Sequence, residues 1–331
     1  MASTAEDIGD QPIVSADQNE NVYDILPAVT THMAVYASGT LSRLFVMGGF
    51  VNDLGNTVLN RVLVLDFDGV SFSEPDFSPI EITDGADATD ETDNSFADLL
   101  VDQQTGVLYI TDATAGMLYA FSAVDGTTVT GPLTVAGEPQ GMSLDNGRLY
   151  ICNTSSVDAE QLINVVNVSD DTTTGIDIGA PCQTIAVQSN NTGAVLLVKP
   201  SNDQKILIHT VNTTTYAASA AIAAASTTYA AGELTSGAGI TSSISDIVIS
   251  VDSAGLIYAY LSELDGNIQM VSVPADLSAY LVQTLSTSIP NLTKGAVLEF
   301  ADGSASQAFI VGETGALVTT DIGAATVQIH N

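Results

Sequence analysis

VDQQTGVLYITDATAGMLYAFSAVDGTTV (101–129) and GPLTVAGEPQGMSLDNGRLYICN (131–153) decide the fold. In both, short runs of Val, Ile, Leu, Thr and Tyr are cut by glycine-containing turns, which is the composition of strands joined by hairpins. Gly106 in TGVLY and Gly147 in NGRLY stand immediately before a strand run, where a tight hairpin needs positive φ. AGLIY places Gly255 in the same way, and VDGTT (124–128) and LDGN (264–267) add Asp-Gly turns.

Outward from these stretches the pattern recurs. AVYAS (34–38), ADLLVD (97–102), GMSLD (141–145), TIAVQ (184–188), DIVISV (246–251) and AVLEF (296–300) form one family of runs. From Val35, Leu99, Met142, Ile185, Ile247 and Val297 the steps are 64, 43, 43, 62 and 50 residues. A second run follows about ten residues later: LFVM (44–47), VLYIT (107–111), RLYIC (148–152), AVLLV (194–198), LIYAY (256–260) and AFIV (308–311). A third comes next: VLVLDFD (62–68), MLYAFS (117–122), LINVVNVS (162–169), KILIHTV (205–211), NIQMVSV (267–273) and ALVTTD (316–321). A fainter fourth includes PLTVAG (132–137) and ATVQIH (325–330). The 43-residue steps match the roughly 40–50-residue period of four-stranded propeller blades, and insertions account for the longer ones.

The expectation is an all-β chain: a six-bladed β-propeller of four-stranded antiparallel blades over residues 32–331, preceded by an acidic amino-terminal arm, 1–31. A seventh blade within 210–245 and a β-sandwich are the alternatives. The Ala-rich stretch 217–231 carries a helix as a further alternative. The two opening stretches resemble the repeat of the YVTN, NHL and lactonase-like propeller families. That repeat has a Gly-x-Pro lead-in, a short strand, a Gly turn and an L-Y-V/I-x-D/N strand. VDSAGLIYAY (251–260) matches in part, and the other blades agree only by spacing. The resemblance implies propeller architecture and says little of activity, because this fold hosts hydrolases, oxidoreductases and binding platforms alike.

Charge narrows the function classes. The chain has 39 acidic and six basic residues, a formal charge of −33. With 45% hydrophobic residues and a mean hydropathy of +0.29, it has material for a core and is no disordered acidic tail. Self-repulsion on this scale opposes compaction in dilute buffer. A Debye length of about 3 Å at 1 M salt removes most of it. The composition therefore reads as adaptation to brine. Nucleic acid is excluded as a partner for want of basic patches, and no apolar run reaches the roughly 20 residues of a membrane span. The start, MASTAEDIGDQPIVSADQNE, carries no secretory pattern, so the chain is expected to stay in the cell or to leave by assembly into a particle.

Chemistry-bearing residues are few. Lactonase-like propellers hold a divalent cation at the channel mouth with Glu, Asp and Asn side chains. Under that resemblance Asp98, Asn153, Asp246, Glu263 and Glu299 are the positions to inspect, although no spacing singles out a ligand set. DGADATDETDNS (84–95) has acids at intervals of three, unlike the alternate ligands of an EF-hand, and reads as a solvated insertion. His32, His209 and His330 read as strand-end residues, and there is no nucleophile elbow, P-loop or dinucleotide fingerprint. Cys152 and Cys182 sit in apolar runs and are expected as buried thiols, with a disulfide as the alternative. Asn153, Asn167, Asn190, Asn212 and Asn291 begin Asn-x-Ser/Thr triplets, which matter only on a protein displayed outside a cell.

No catalytic, cofactor or metal residue is assigned, and catalysis is the less favoured outcome. The expected role is structural or recognitive: a spike, turret or tail-associated propeller on the virion of a virus of halophilic archaea. Its partners would be other virion proteins, in an oligomer, and a host-surface glycan or glycoprotein. A metal-dependent lactonase-like hydrolase and a cell-surface adhesion propeller are the alternatives.

Overall fold

A computed structural model describes residues 29–51, 57–58, 61–68, 70–82, 96–154, 163–178, 180–201, 204–212, 218–221, 223–224, 233–236, 239–240, 242–287, 289–298, 307–312, 317–324 and 326–330. Every element among them is a strand. The strands form six antiparallel meanders, the blades of a six-bladed β-propeller. The chain divides into two compact units, Met1–Thr134 with blades 1 and 2, and Val135–Asn331 with blades 3 to 6.

In the first unit, blade 1 contains β1 (Val29–Ser38), β2 (Leu41–Val51), β3 (Thr57–Val58), β4 (Arg61–Phe67), β5 (Phe72–Ser73) and β6 (Ile80–Glu81). Its path runs β1-β2-β4-β5, with β3 on β2 and β6 on β4. Blade 2 is β7 (Phe96–Asp102), β8 (Val107–Asp112), β9 (Met117–Ser122) and β10 (Thr128–Thr134).

In the second unit, blade 3 is β11 (Pro139–Asp145), β12 (Arg148–Asn153), β13 (Ile163–Asn167) and β14 (Thr173–Ile176). Blade 4 has β15 (Cys182–Ser189), β16 (Ala194–Pro200) and β17 (Lys205–Val211), then β18 (Ala218–Ala221) on β17. The short β19 (Ala223–Ala224) leaves blade 4 and pairs in parallel with blade 5, before β20 (Glu233–Ser236) and β21 (Gly239–Ile240) return to blade 4. Blade 5 is β22 (Ile244–Val251), β23 (Ile257–Glu263), β24 (Asn267–Val273) and β25 (Ala279–Ser286). Blade 6 is β26 (Leu292–Leu298), β27 (Gln307–Gly312), β28 (Leu317–Asp321) and β29 (Gln328–His330).

Two alternatives fall here. The described residues of 210–245 thicken blades 4 and 5 instead of making a seventh, and the Ala-rich stretch contributes β18 and β19 where it is described. The first described strand begins at Val29, so His32 lies inside β1 instead of at a strand end. Glu299 and the acidic insertion 84–95 lie outside the described residues.

The hairpin glycines behave as their positions require. Gly106, Gly126, Gly147, Gly255 and Gly266 all have positive φ, from 69° to 89°. At Gly266 a Cβ would also stand 2.4 Å from the Ile289 carbonyl oxygen, so both space and conformation demand glycine.

Each blade's first strand carries a register shift near its start. These fall between Thr30 and His32, Phe96 and Asp98, Pro139 and Met142, Cys182 and Thr184, Ile244 and Asp246, and Leu292 and Lys294. An extra residue there bends the strand and increases its twist.

Apolar cores form between consecutive blades. Tyr36, Phe45 and Val64 of blade 1 meet Leu99, Leu108 and Ile110 of blade 2. Tyr150, Cys152 and Ile163 of blade 3 meet Ile185, Leu196 and Leu207 of blade 4. Similar clusters join blades 4 to 5 and 5 to 6.

Polar contacts reinforce these seams in different ways. Arg43 on β2 is 5% exposed and makes a bidentate pair with Asp66 of β4, at 2.5 and 2.8 Å. Its Nη1 donates to the Ala123 and Val124 carbonyls of blade 2, at 2.7 and 2.6 Å, and its guanidinium lies 4.7 Å over the Phe77 ring. One arginine therefore ties two blades together. Gln103 adds a second tie, its amide accepting from the Ala37 N–H and donating to the Val35 carbonyl along the edge of β1.

Between blades 3 and 4 the tie is covalent. Cys152 of β12 and Cys182 of β15 are joined in a disulfide with a Cα–Cα distance of 5.2 Å. This corrects the expectation of two thiols: the residues are 30 positions apart, but consecutive blades bring them face to face. Both are fully buried.

Candidate functional site

In the second unit, the β11–β12 turn and the β15–β16 turn stand side by side and enclose a cleft of about 380 Å³. Asp145, Asn146, Arg148 and Tyr150 line it from blade 3, and Ser189 with residues 190–193 from blade 4. Asn146 adopts φ 48° and Gly147 φ 70°, the left-handed pair that an Asn-Gly hairpin turn uses. That turn presents Arg148 at the start of β12.

The cleft's floor is a hydrogen-bond chain. Ser189 donates to Asp145 Oδ1 through both its N–H (3.1 Å) and its hydroxyl (2.9 Å). The same hydroxyl accepts from Asn146 Nδ2 at 2.5 Å. Burial raises the Asp145 pKa above the usual carboxylate range, while the Ser189 bonds and the Arg148 charge pull it down. Arg148 Nη1 reaches the Asn146 carbonyl at 3.4 Å.

The blade 4 wall is held firm. Asn190 accepts from the Thr192 and Gly193 N–H groups at 2.8 and 3.1 Å, closing the turn. Its Nδ2 donates to the Gly255 and Ala275 carbonyls of blade 5 at 2.8 and 3.1 Å. The cleft is thus a rigid polar recess with a guanidinium, side-chain amides, hydroxyls and a carboxylate. Its lining contains no histidine, and the serine is bonded to a carboxylate instead of an imidazole. Such a surface binds through hydrogen bonds.

The residues inspected as metal ligands do other work. Asp98 is in the first unit, where it pairs with His32 at 3.6 Å and accepts from its neighbour's Leu99 N–H. Asn153, 3% exposed, accepts from the Glu138 N–H at 2.7 Å and donates to the Ala136 carbonyl. Asp246 on β22 accepts from the Gly295 N–H of β26 at 2.9 Å, a blade-to-blade contact. Glu263 is fully buried and accepts from Gln269 Nε2 at 2.8 Å and the Ser242 N–H at 3.2 Å. Among the described residues no three His, Cys, Asp or Glu side chains gather around a common point.

Of the other histidines, His209 sits within β17, half-buried, with its pKa lowered first by burial and pulled back by Glu233. His330 falls in β29. Three basic side chains have partners within the fold: Arg43 on Asp66, Lys199 on Gln183 Oε1 at 2.9 Å, and Lys205 on Glu233 at 3.5 Å.

Sequence reasoning missed both Arg43 and Arg148. A signal was present: in a chain with six bases, an arginine set in or beside an apolar strand run has a specific partner or task.

Solved structures share this architecture. A protein from Lactobacillus plantarum superposes with a TM-score of 0.58 at 14% identity, over 92% of this chain and 90% of that one. BBS1N, solved in complex with ARL6DN, gives 0.56 at 9% identity, over 92% and 82%. The β-propeller domain of Myceliophteria thermophila Cps50 (Swd1) gives 0.53 at 11% identity, over 91% and 86%. The likeness is one of fold. No family model matches the sequence, and no curated protein does either.

Proposed function

We propose that this chain is a non-catalytic recognition propeller of a virion surface, made for strong brine, whose Arg148 cleft receives a host-surface glycan or glycoprotein. The cleft carries the reading. Its donors and acceptors are fixed on two rigid turns, and Ser189, its one serine, is tied up with Asp145. The charge of −33 supports a saline setting, because only a high ion concentration screens such a coat. The Cys152–Cys182 bond supports an oxidising exterior, where disulfides persist. A protein of like fold, BBS1N, is held in complex with another protein, ARL6DN, which fits a partner-binding role. Other virion proteins, in an oligomer, are the assembly partners under this reading.

The hydrolase alternative needs Asn153, Asp246 and Glu263 free to ligate a cation. Each instead accepts a hydrogen bond from a donor within the fold, which weighs against that reading. The test is binding of the folded full chain to host cell envelopes in molar salt, wild type beside Arg148→Ala. Retention of wild type with at least tenfold weaker retention of the variant, at unchanged far-UV circular dichroism, supports the reading. Equal retention of both, or of neither, overturns it.

A further inference from the structure

We propose that Asn167 is an N-glycosylation site, an inference that rests on the surface-displayed reading above. The fold separates the five Asn-x-Ser/Thr triplets by what it does with the acceptor amide. Asn153 is buried, with its Nδ2 bonded to the Ala136 carbonyl and its Oδ1 to the Glu138 N–H. Asn190 Nδ2 is committed to the Gly255 and Ala275 carbonyls. Substitution at either nitrogen would strip bonds that hold turns and blades in place. Asn212 and Asn291 are exposed, but Thr214 and Thr293, which complete their triplets, lie outside the described side chains.

Asn167 differs from these. It ends β13 at the hairpin into β14, is partly exposed, and is followed by an exposed Ser169. Its Oδ1 accepts from the Ser169 hydroxyl at 3.0 Å and from the Ser169 N–H at 3.3 Å. The triplet's own hydroxyl residue thus holds the amide oxygen, and Nδ2 has the exposed Asp170 carboxylate as its partner, where Asn153 and Asn190 give theirs to backbone carbonyls. The charged group coupled to this side chain is the exposed Asp170 carboxylate, whose pKa is lowered first by Thr172 and least by Asn167. Backbone bonds from the Asn167 N–H to the Thr172 carbonyl and from the Asp171 N–H to the Asn167 carbonyl, both 2.9 Å, keep the turn in this shape.

Donation into Oδ1 polarises the amide and acidifies the Nδ2–H that the reaction must shed. In the transfer, Nδ2 attacks the anomeric carbon of a lipid-linked oligosaccharyl phosphate or diphosphate. The C–N bond forms, and the bond from that carbon to the phosphate oxygen breaks. The electron pair departs with the lipid phosphate, and the amide proton passes to a base of the transferase. The product is a bulky, hydrated group on a surface hairpin, and Asn167 is the cross-strand neighbour of Arg148.

Intact-mass and glycopeptide spectrometry of the full chain from purified particles tests this. The expected result is sugar on Asn167 with Asn153 and Asn190 bare, and loss of that increment in both Asn167→Gln and Ser169→Ala at unchanged circular dichroism. A bare Asn167 in particle-derived protein, or sugar on Asn153 or Asn190, overturns the proposal. If the chain is not in particles, the surface reading fails, and the full chain exported behind an archaeal leader is analysed instead. Occupancy of Asn167 there upholds the site, and its absence removes it.

Discussion

The seam between blades 1 and 2 and the seam between blades 3 and 4 join the same kind of sheets by unlike chemistry. In the first, Arg43 gathers Asp66, two carbonyls of blade 2 and the Phe77 ring around one guanidinium. In the second, a disulfide crosses between β12 and β15, while Asp145 caps the Ser189 N–H from the turn. Gly141 lets β11 and β15 approach, since a Cβ there would meet the Gln183 carbonyl oxygen at 2.8 Å. The repeat dictates strand and turn positions but leaves each seam to its own residues. The first seam is tied by an arginine and the second by sulfur.

The largest expected effect comes from cutting the covalent seam. The 30-residue separation gives a loop-entropy loss of about 3.6 kcal/mol for Cys152→Ser with Cys182→Ser. Denaturant unfolding in molar salt measures it, and reduction of the wild type should lower the midpoint in the same direction. An unchanged midpoint would mean that the sulfur tie adds nothing to the apolar packing around it.

Arg43→Met comes next. It leaves Asp66 and the carbonyls of Ala123 and Val124 without their donor. Breaking a buried pair costs about 3 kcal/mol at the lower end of the usual range, and Asp66, 30% exposed on its side chain, keeps the loss there. The same unfolding assay reads it, and the loss should vary little with salt, since the guanidinium is buried. A loss that vanishes at high salt would recast Arg43 as a surface charge.

The smallest effect separates two carboxylates of blade 3 by pH. Asp145 has a raised pKa, so the folded state holds its proton more tightly. Its contribution grows as pH falls through the folded value towards the unfolded one. Exposed Asp170 has a lowered pKa, so its contribution is present at neutral pH and is lost as pH falls through its folded value. Asp145→Asn should therefore flatten the acid-side gain in stability, and Asp170→Asn should soften the acid-side loss. Identical pH profiles for both variants would contradict the assigned environments.

These contrasts mark what the sequence makes legible. Strand runs and hairpin glycines can be read because they repeat, and Gly106, Gly147 and Gly255 take the positive φ that their positions imply. The start of each first strand cannot, because the register shift breaks the alternation there. The AVYAS, TIAVQ and AVLEF runs accordingly begin inside β1, β15 and β26. The Arg43 cluster and the cleft depend on residues far apart in the chain and used once each. Cys152 and Cys182 look like apolar strand residues, and only adjacency of consecutive blades turns them into a bond. The carboxylates set out under the lactonase-like resemblance share a residue type, but Asp246 and Glu263 accept hydrogen bonds from the Gly295 and Ser242 N–H groups, partners that no spacing reveals.

Whether this acidic propeller belongs to a particle surface is answered most directly by quantitative mass spectrometry of purified virions from a host culture carrying the gene. The chain should be present at a fixed ratio to the major capsid protein and be released by surface proteolysis or mild dissociation. Its absence from purified virions, with all of it left in the host cytoplasm, would contradict a role at the virion surface.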